Sequence, residues 1–183
     1  MPTAAALITA EEFSRLPESE AYILELRNGE VVQLSRPKKR HDDRVYRIRR
    51  WLQPFADQAG YLDKEFTYRP LPEYEVRVAD LAFVSWDRWH SVADDDYLRG
   101  APEFVVEVAS PSNSAEELQE KKELCLANGC REFWVVYPKL KQVDVFTQQA
   151  SRTYRMGDAI AMTVFPGHEI GVNEIFAPVL QAW

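Results

Sequence analysis

A chain of 183 residues, 46% hydrophobic and 28% charged, has the size and composition of one ordinary globular domain and not of a disordered or fibrous protein. Its formal charge of −7, from 22 Lys and Arg against 29 Asp and Glu, argues against a protein that coats nucleic acid through a basic surplus. The total conceals a segregation, because residues 36–50, RPKKRHDDRVYRIRR, hold eight Lys or Arg and only two Asp, a net of +6 within an acidic body.

Thr9-Ala10-Glu11-Glu12 has capping-box spacing and predicts a short helix ending near Pro17. Residues 21–34 read as a β-hairpin, with Asn28-Gly29 supplying the positive φ angles of a type I′ turn. Val45, Ile48, Leu52 and Phe55 recur at three- and four-residue steps and predict a helix over 39–58, with Gly60 at its exit. Extended segments follow at 61–69, 75–84 and 103–109, with a loop or short helix in SWDRWHSVADDDYLRG between the last two. Ser114-x-x-Glu117 is a second capping box, opening a helix that Gly129 closes. Residues 132–137 and 141–147 read as strands, a third lies near 151–156, and a short helix covers 173–177. No Pro- or Gly-rich linker divides the chain. The expected fold is therefore a single α/β domain over 1–183, with a central mixed β-sheet flanked by helices, an N-terminal hairpin and a strand-rich C-terminal part.

The chemistry gathers on two strands and a helix. Alternation through 75–84 puts Asp80 on one face with Val76, Val78, Ala82 and Val84. The segment 103–109 is apolar on both faces, as a central strand is, and Glu107 lies inside it. A carboxylate there is costly unless a cation, a metal or a donor meets it. Two such carboxylates that converge suit a hard divalent cation, which wants oxygen ligands. On the following helix Lys121 falls with the inward-facing Leu118, Leu124 and Cys125, whereas Lys122 lies to the side and is the fallback. Arg40, Arg44 and Arg47 form a stripe beside the apolar face of the longest helix, suited either to phosphate or to solvent.

Across residues 20–145 the chain resembles the Uma-two family of restriction endonuclease-like proteins, in the PD-(D/E)XK nuclease superfamily. The resemblance is carried by YILELRNGEVVQLSRP followed by His41, by VRVADLAFVS, and by EFVVEVASPSNSAEELQEKKELCLANGCREFWVVYP. It implies a Mg²⁺-dependent endodeoxyribonuclease, with Mn²⁺ able to substitute. Asp80 matches the aspartate of the PD element, with Ala79 in place of the proline, and Glu107 matches the acidic member of (D/E)XK. Ala109 stands where that motif's lysine would be, and Lys121 occupies the position from which this family supplies it. Asp80, Glu107 and the Val108 carbonyl would hold the metal and Lys121 would position the attacking water. Arg40, Arg44 and Arg47 would hold the DNA backbone. Glu25 and His41 match recurrent accessory positions.

Two alternatives stand beside this reading. A catalytically inactive nuclease-fold module would bind DNA or a protein partner without cleaving. A purely structural module would have Glu107 neutralised by an internal Arg or Lys. Cys125 and Cys130 have no CxxC spacing, the first residues do not read as a secretory signal, and no apolar run has membrane-span length, so a cytoplasmic setting with no membrane contact is expected. Cutting two strands suits two sites, so a homodimer is expected as well.

Overall fold

The computed structural model describes residues 7–17, 19–36, 39–71, 73–110 and 114–177. Thr9 caps α1 (Ala10–Phe13) through the reciprocal capping box with Glu12. Strands β1 (Tyr22–Arg27) and β2 (Glu30–Ser35) pair antiparallel across a turn in which Asn28 has φ 49° and Gly29 φ 83°, the two left-handed residues a type I′ turn needs. The hairpin docks on the rest of the molecule through a bridge between Leu26 and Val76, whose backbones exchange hydrogen bonds of 2.8 and 2.9 Å.

Helix α2 (Lys39–Ala59) runs into β3 (Gly60–Arg69) with no loop between them. Gly60 stands at the helix exit, as the sequence suggests, but without a left-handed φ. It opens the strand opposite Ser85, and a Cβ there would run into the Val84 carbonyl and the Phe83 ring. The remaining elements are β4 (Arg77–Ser85), α3 (Trp86–Trp89), β5 (Leu98–Arg99), β6 (Phe104–Val108), α4 (Ala115–Ala127), β7 (Glu132–Tyr137), β8 (Gln142–Phe146), β9 (Ser151–Arg155), β10 (Ala159–Ala161), β11 (Glu169–Gly171) and α5 (Val172–Phe176). The hairpin β10–β11 was not anticipated, because strands of three residues give alternation too little length to register.

Seven strands form one mixed sheet in the order β5-β3-β4-β6-β7-β8-β9. Its centre is antiparallel from β3 through β4 to β6, parallel from β6 to β7, and antiparallel again to β8 and β9. The crossover from β6 to β7 is α4, which Ser114 caps through a second capping box. Gly129, at φ 112°, ends it in a Schellman arrangement, with Cys130 N–H donating to the Cys125 carbonyl at 3.0 Å.

Apolar clusters cover both faces. One joins α2 (Val45, Ile48, Leu52, Ala56) to Leu81, Phe83, Phe104, Val106, Trp134 and the β10–β11–α5 segment. The other joins α4, through Cys125, to Phe66, Tyr68, Ala79, Ala82, Val105 and Phe133. The strand faces do not alternate cleanly. Leu62 packs in the first cluster but Phe66 and Tyr68, of the same parity, in the second; Leu81 and Ala79 differ in the same way. The change occurs on both strands at the opposed positions 65 and 80. Glu65 stands there at φ 49°, the left-handed region a residue with a Cβ rarely occupies. The expectation that Asp80 continues the Ala82–Val84 face fails for this reason. Among the described residues no helix is long and apolar enough to cross a membrane.

Candidate active site

The register between β4 and β6 runs to Leu81–Val106 and stops. Beyond it the Val108 N–H donates to Asp80 Oδ2 at 2.7 Å, so a side-chain carboxylate enters where the backbone ladder ends. The fork opens toward both layers. From one face, the first turn of α2 brings His41, whose Nε2 lies 2.8 Å from the same Asp80 oxygen. From the other, α4 brings Lys121, whose Nζ lies 2.8 Å from Glu107 Oε1. Both side chains of that pair are under a tenth exposed. No aligned hydrogen bond reaches the buried Glu107 Oε1, and the cation beside it is the Lys121 ammonium, an ion pair by distance.

Lys121 is anchored elsewhere. Its ammonium donates to the Val78 carbonyl at 2.6 Å and to Glu25 Oε1 at 3.5 Å. Glu25 is fully buried on β1, where it also accepts the Val78 N–H at 3.0 Å and pairs with Arg27 at 2.9 Å. Arg27 reaches Glu117 at the start of α4, at 2.7 Å. Arg77 spans Glu75 at 2.6 Å and Glu120 at 2.7 Å, and stands 3.8 Å from Glu25. The hairpin, β4 and α4 are thus tied by one buried network whose innermost members are Glu25 and Lys121.

The electrostatics follow from this packing. Burial drives the Glu107 carboxyl up, to about 8; the Lys121 charge opposes this and Asp80 adds to it. Burial works against the Lys121 ammonium too, but Glu107, Glu25 and Asp80 outweigh it and hold the group charged. Burial likewise opposes ionisation of Glu25, and Lys121, the Val78 N–H, Arg27 and Arg77 overcome it, so this carboxyl stays below its usual range. Burial works against the His41 imidazolium, but the hydrogen bond and charge of Asp80, with the charges of Asp42 and Glu107, together outweigh it and raise the group. A pH dependence follows. Glu107 binds its proton more tightly folded than unfolded, so its contribution to stability is full below the ordinary value of 4.5 and is lost as pH rises through about 8. The Tm of Glu107→Gln should therefore gain on that of the wild type as pH is raised across this window in metal-free buffer; a constant difference would disprove the shift.

The structure brings Asp80, Glu107, Lys121, Glu25 and His41 together. Lys122 is turned away: its Nζ donates to Gln119 Oε1 at 2.6 Å and lies 4.6 Å from the centre of the Phe146 ring. The arginine stripe has a structural occupation. Arg44 donates to the Ile175 and Ala177 carbonyls at 3.1 and 3.2 Å, and Arg47 to the Glu174 carbonyl at 3.5 Å, which satisfies the last carbonyls of α5. The side chain of Arg40 lies outside the described residues. Sequence reasoning missed Arg27 and Arg77; the signal was an arginine at the end of one strand and at the start of another, each beside apolar neighbours that are buried. Both cysteines are free and buried, and Cys125, pushed up to about 12 by burial, is no nucleophile.

Among the described residues no group of three His, Cys, Asp or Glu side chains could hold a metal ion by itself. The donors that the family resemblance assigns to a cation, the Asp80 and Glu107 carboxylates and the Val108 carbonyl, are oxygen throughout. Hard oxygen donors, with Glu107 Oε1 buried and lacking an aligned hydrogen bond, fit a Mg²⁺-type cation that keeps several waters.

Comparison with known proteins bears on the family and the fold. A family model named Uma2 and described as "Putative restriction endonuclease" matches residues 10–173. The fold is shared with a crystal structure from Anabaena variabilis ATCC 29413, described as a putative nuclease belonging to DUF820. The TM-score is 0.75 and the identity 21%, and the match covers 92% of this chain and 97% of that one. No curated protein matches the chain.

Proposed function

The chain belongs to the Uma2 family, and from that premise we propose that it is a metal-dependent DNA endonuclease acting at the Asp80–Glu107–Lys121 fork. One observation carries the reading: two strand carboxylates and a buried ammonium, spread over 41 positions of sequence, meet where the β4–β6 ladder ends. A buried lysine beside a buried glutamate whose pKa is raised is a pattern that active sites share, and it supports this reading.

Asp80, Glu107 and the Val108 carbonyl hold Mg²⁺ in this proposal. The cation supplies polarisation of the phosphate and an acidified water. Lys121, held charged by Glu25 and the Val78 carbonyl, would orient the attacking water and offset negative charge at the phosphorus centre. DNA approaches past the basic segment 36–50, where Lys39 and Arg50 are exposed, while Arg44 and Arg47 serve α5. Because both DNA strands must be cut, a homodimer in the cytoplasm belongs to the same proposal.

A second reading draws on one observation, the 2.8 Å approach of Lys121 to Glu107, which is how an internal cation would neutralise that carboxylate in a module that does not cleave. Plasmid DNA separates the two. The endonuclease nicks or linearises it with Mg²⁺ or Mn²⁺ and stops on addition of EDTA. The non-catalytic module leaves it intact under every condition, and any DNA binding it has is indifferent to EDTA.

A further inference from the structure

We propose that His41 is a positioning residue that locks the Asp80 carboxylate for metal binding through a single oxygen, an inference that rests on the metal-dependent reading above. Asp80 Oδ2 accepts the Val108 N–H at 2.7 Å, and His41 Nε2 lies 2.8 Å from that same oxygen. An oxygen that accepts a backbone N–H is meeting donors, so the imidazole presents its proton on Nε2. Two donors then occupy Oδ2, and Oδ1 is the oxygen left for a cation. The last torsion of an aspartate is broad and roughly two-fold, so one donor alone leaves the carboxylate free to swing and the second fixes it.

The histidine has little else to do. Its side chain is 14% exposed, its Nδ1 is buried without a hydrogen bond, and Asp42 Oδ1 approaches that nitrogen only to 3.8 Å. Its polar contact is thus spent on Asp80. This is the arrangement by which an outer residue orients a ligand, and loss of such a partner typically weakens metal affinity about 10- to 100-fold.

The test is a Mn²⁺ titration of the full chain without DNA, with free Mn²⁺ followed by electron paramagnetic resonance. His41→Ala should bind Mn²⁺ about 10- to 100-fold more weakly than the wild type, at an unchanged Tm. His41→Gln, whose side-chain amide nitrogen stands in for Nε2, should restore most of the loss. If His41→Ala fails to fold, His41→Asn, whose amide stops short of Asp80, takes its place. Wild-type affinity in the alanine or asparagine variant, or no rescue by glutamine, overturns the role of His41 and leaves the metal site standing. A wild-type protein that binds no Mn²⁺ overturns the metal reading, and the role of His41 falls with it.

Discussion

Asp80→Asn and Glu107→Gln should each lower the rate of Mg²⁺-dependent DNA cleavage by at least about 10³-fold, equivalent to about 4 kcal/mol of transition-state stabilisation. Both changes keep side-chain size and remove a negative charge where the donor set is smallest. Two carboxylates and one carbonyl leave no spare protein ligand, so the loss of either cannot be shared out. Single-turnover nicking of supercoiled plasmid is the measurement, with thermal melting to show that the fold persists. Retention of more than about a tenth of the activity in either variant would remove that residue from the metal site. DNA affinity in the absence of metal should hold or rise, since each change removes a carboxylate that repels phosphate.

Lys121→Met should cost about 3–5 kcal/mol of stability, because it leaves Glu25 and Glu107 buried around an uncharged side chain. For a domain of this size that corresponds to a fall in Tm on the order of 10 °C. Cleavage should be lost as well. The double variant Lys121→Met with Glu107→Gln separates the causes: removing one of the stranded carboxylates should recover part of the stability and none of the activity. Lys122→Met, at a residue whose ammonium faces Gln119 and the Phe146 ring, should change stability by about 0.5 kcal/mol or less and leave cleavage intact. A Lys121→Met variant as stable as the wild type would mean that the ion pair does not hold α4 to the sheet.

Much of this site is legible in the sequence. Glu107 is the one charge in a strand that is apolar on both faces, and Lys121 shares a helix face with Cys125; local periodicity carries both facts. Convergence on Asp80 needed the resemblance to a nuclease family, because the pairing of β4 with β6 is not written in either strand alone. What remained hidden is of two kinds. The Arg27–Glu117 and Arg77–Glu120 bridges join residues 90 and 43 positions apart, and nothing local marks which distant partner a charge will meet. Arg44 and Arg47 looked like a phosphate-binding stripe because a guanidinium that satisfies the end of a helix has the same spacing as one that faces DNA. The face change at Glu65 and Asp80 was also invisible, since alternation assumes the regular backbone that a left-handed residue breaks.

The fork draws its residues from both sides of the sheet: His41 rides on α2, packed in one apolar cluster, and Lys121 on α4, packed in the other. Partial unfolding of either layer, without loss of the other, is enough to dismantle the constellation. The active geometry therefore persists only as long as the less stable of the two layers stays closed. A bound cation, by joining Asp80 to Glu107, would couple the opening of one layer to the opening of the other and make the two halves of the core exchange with solvent as one unit.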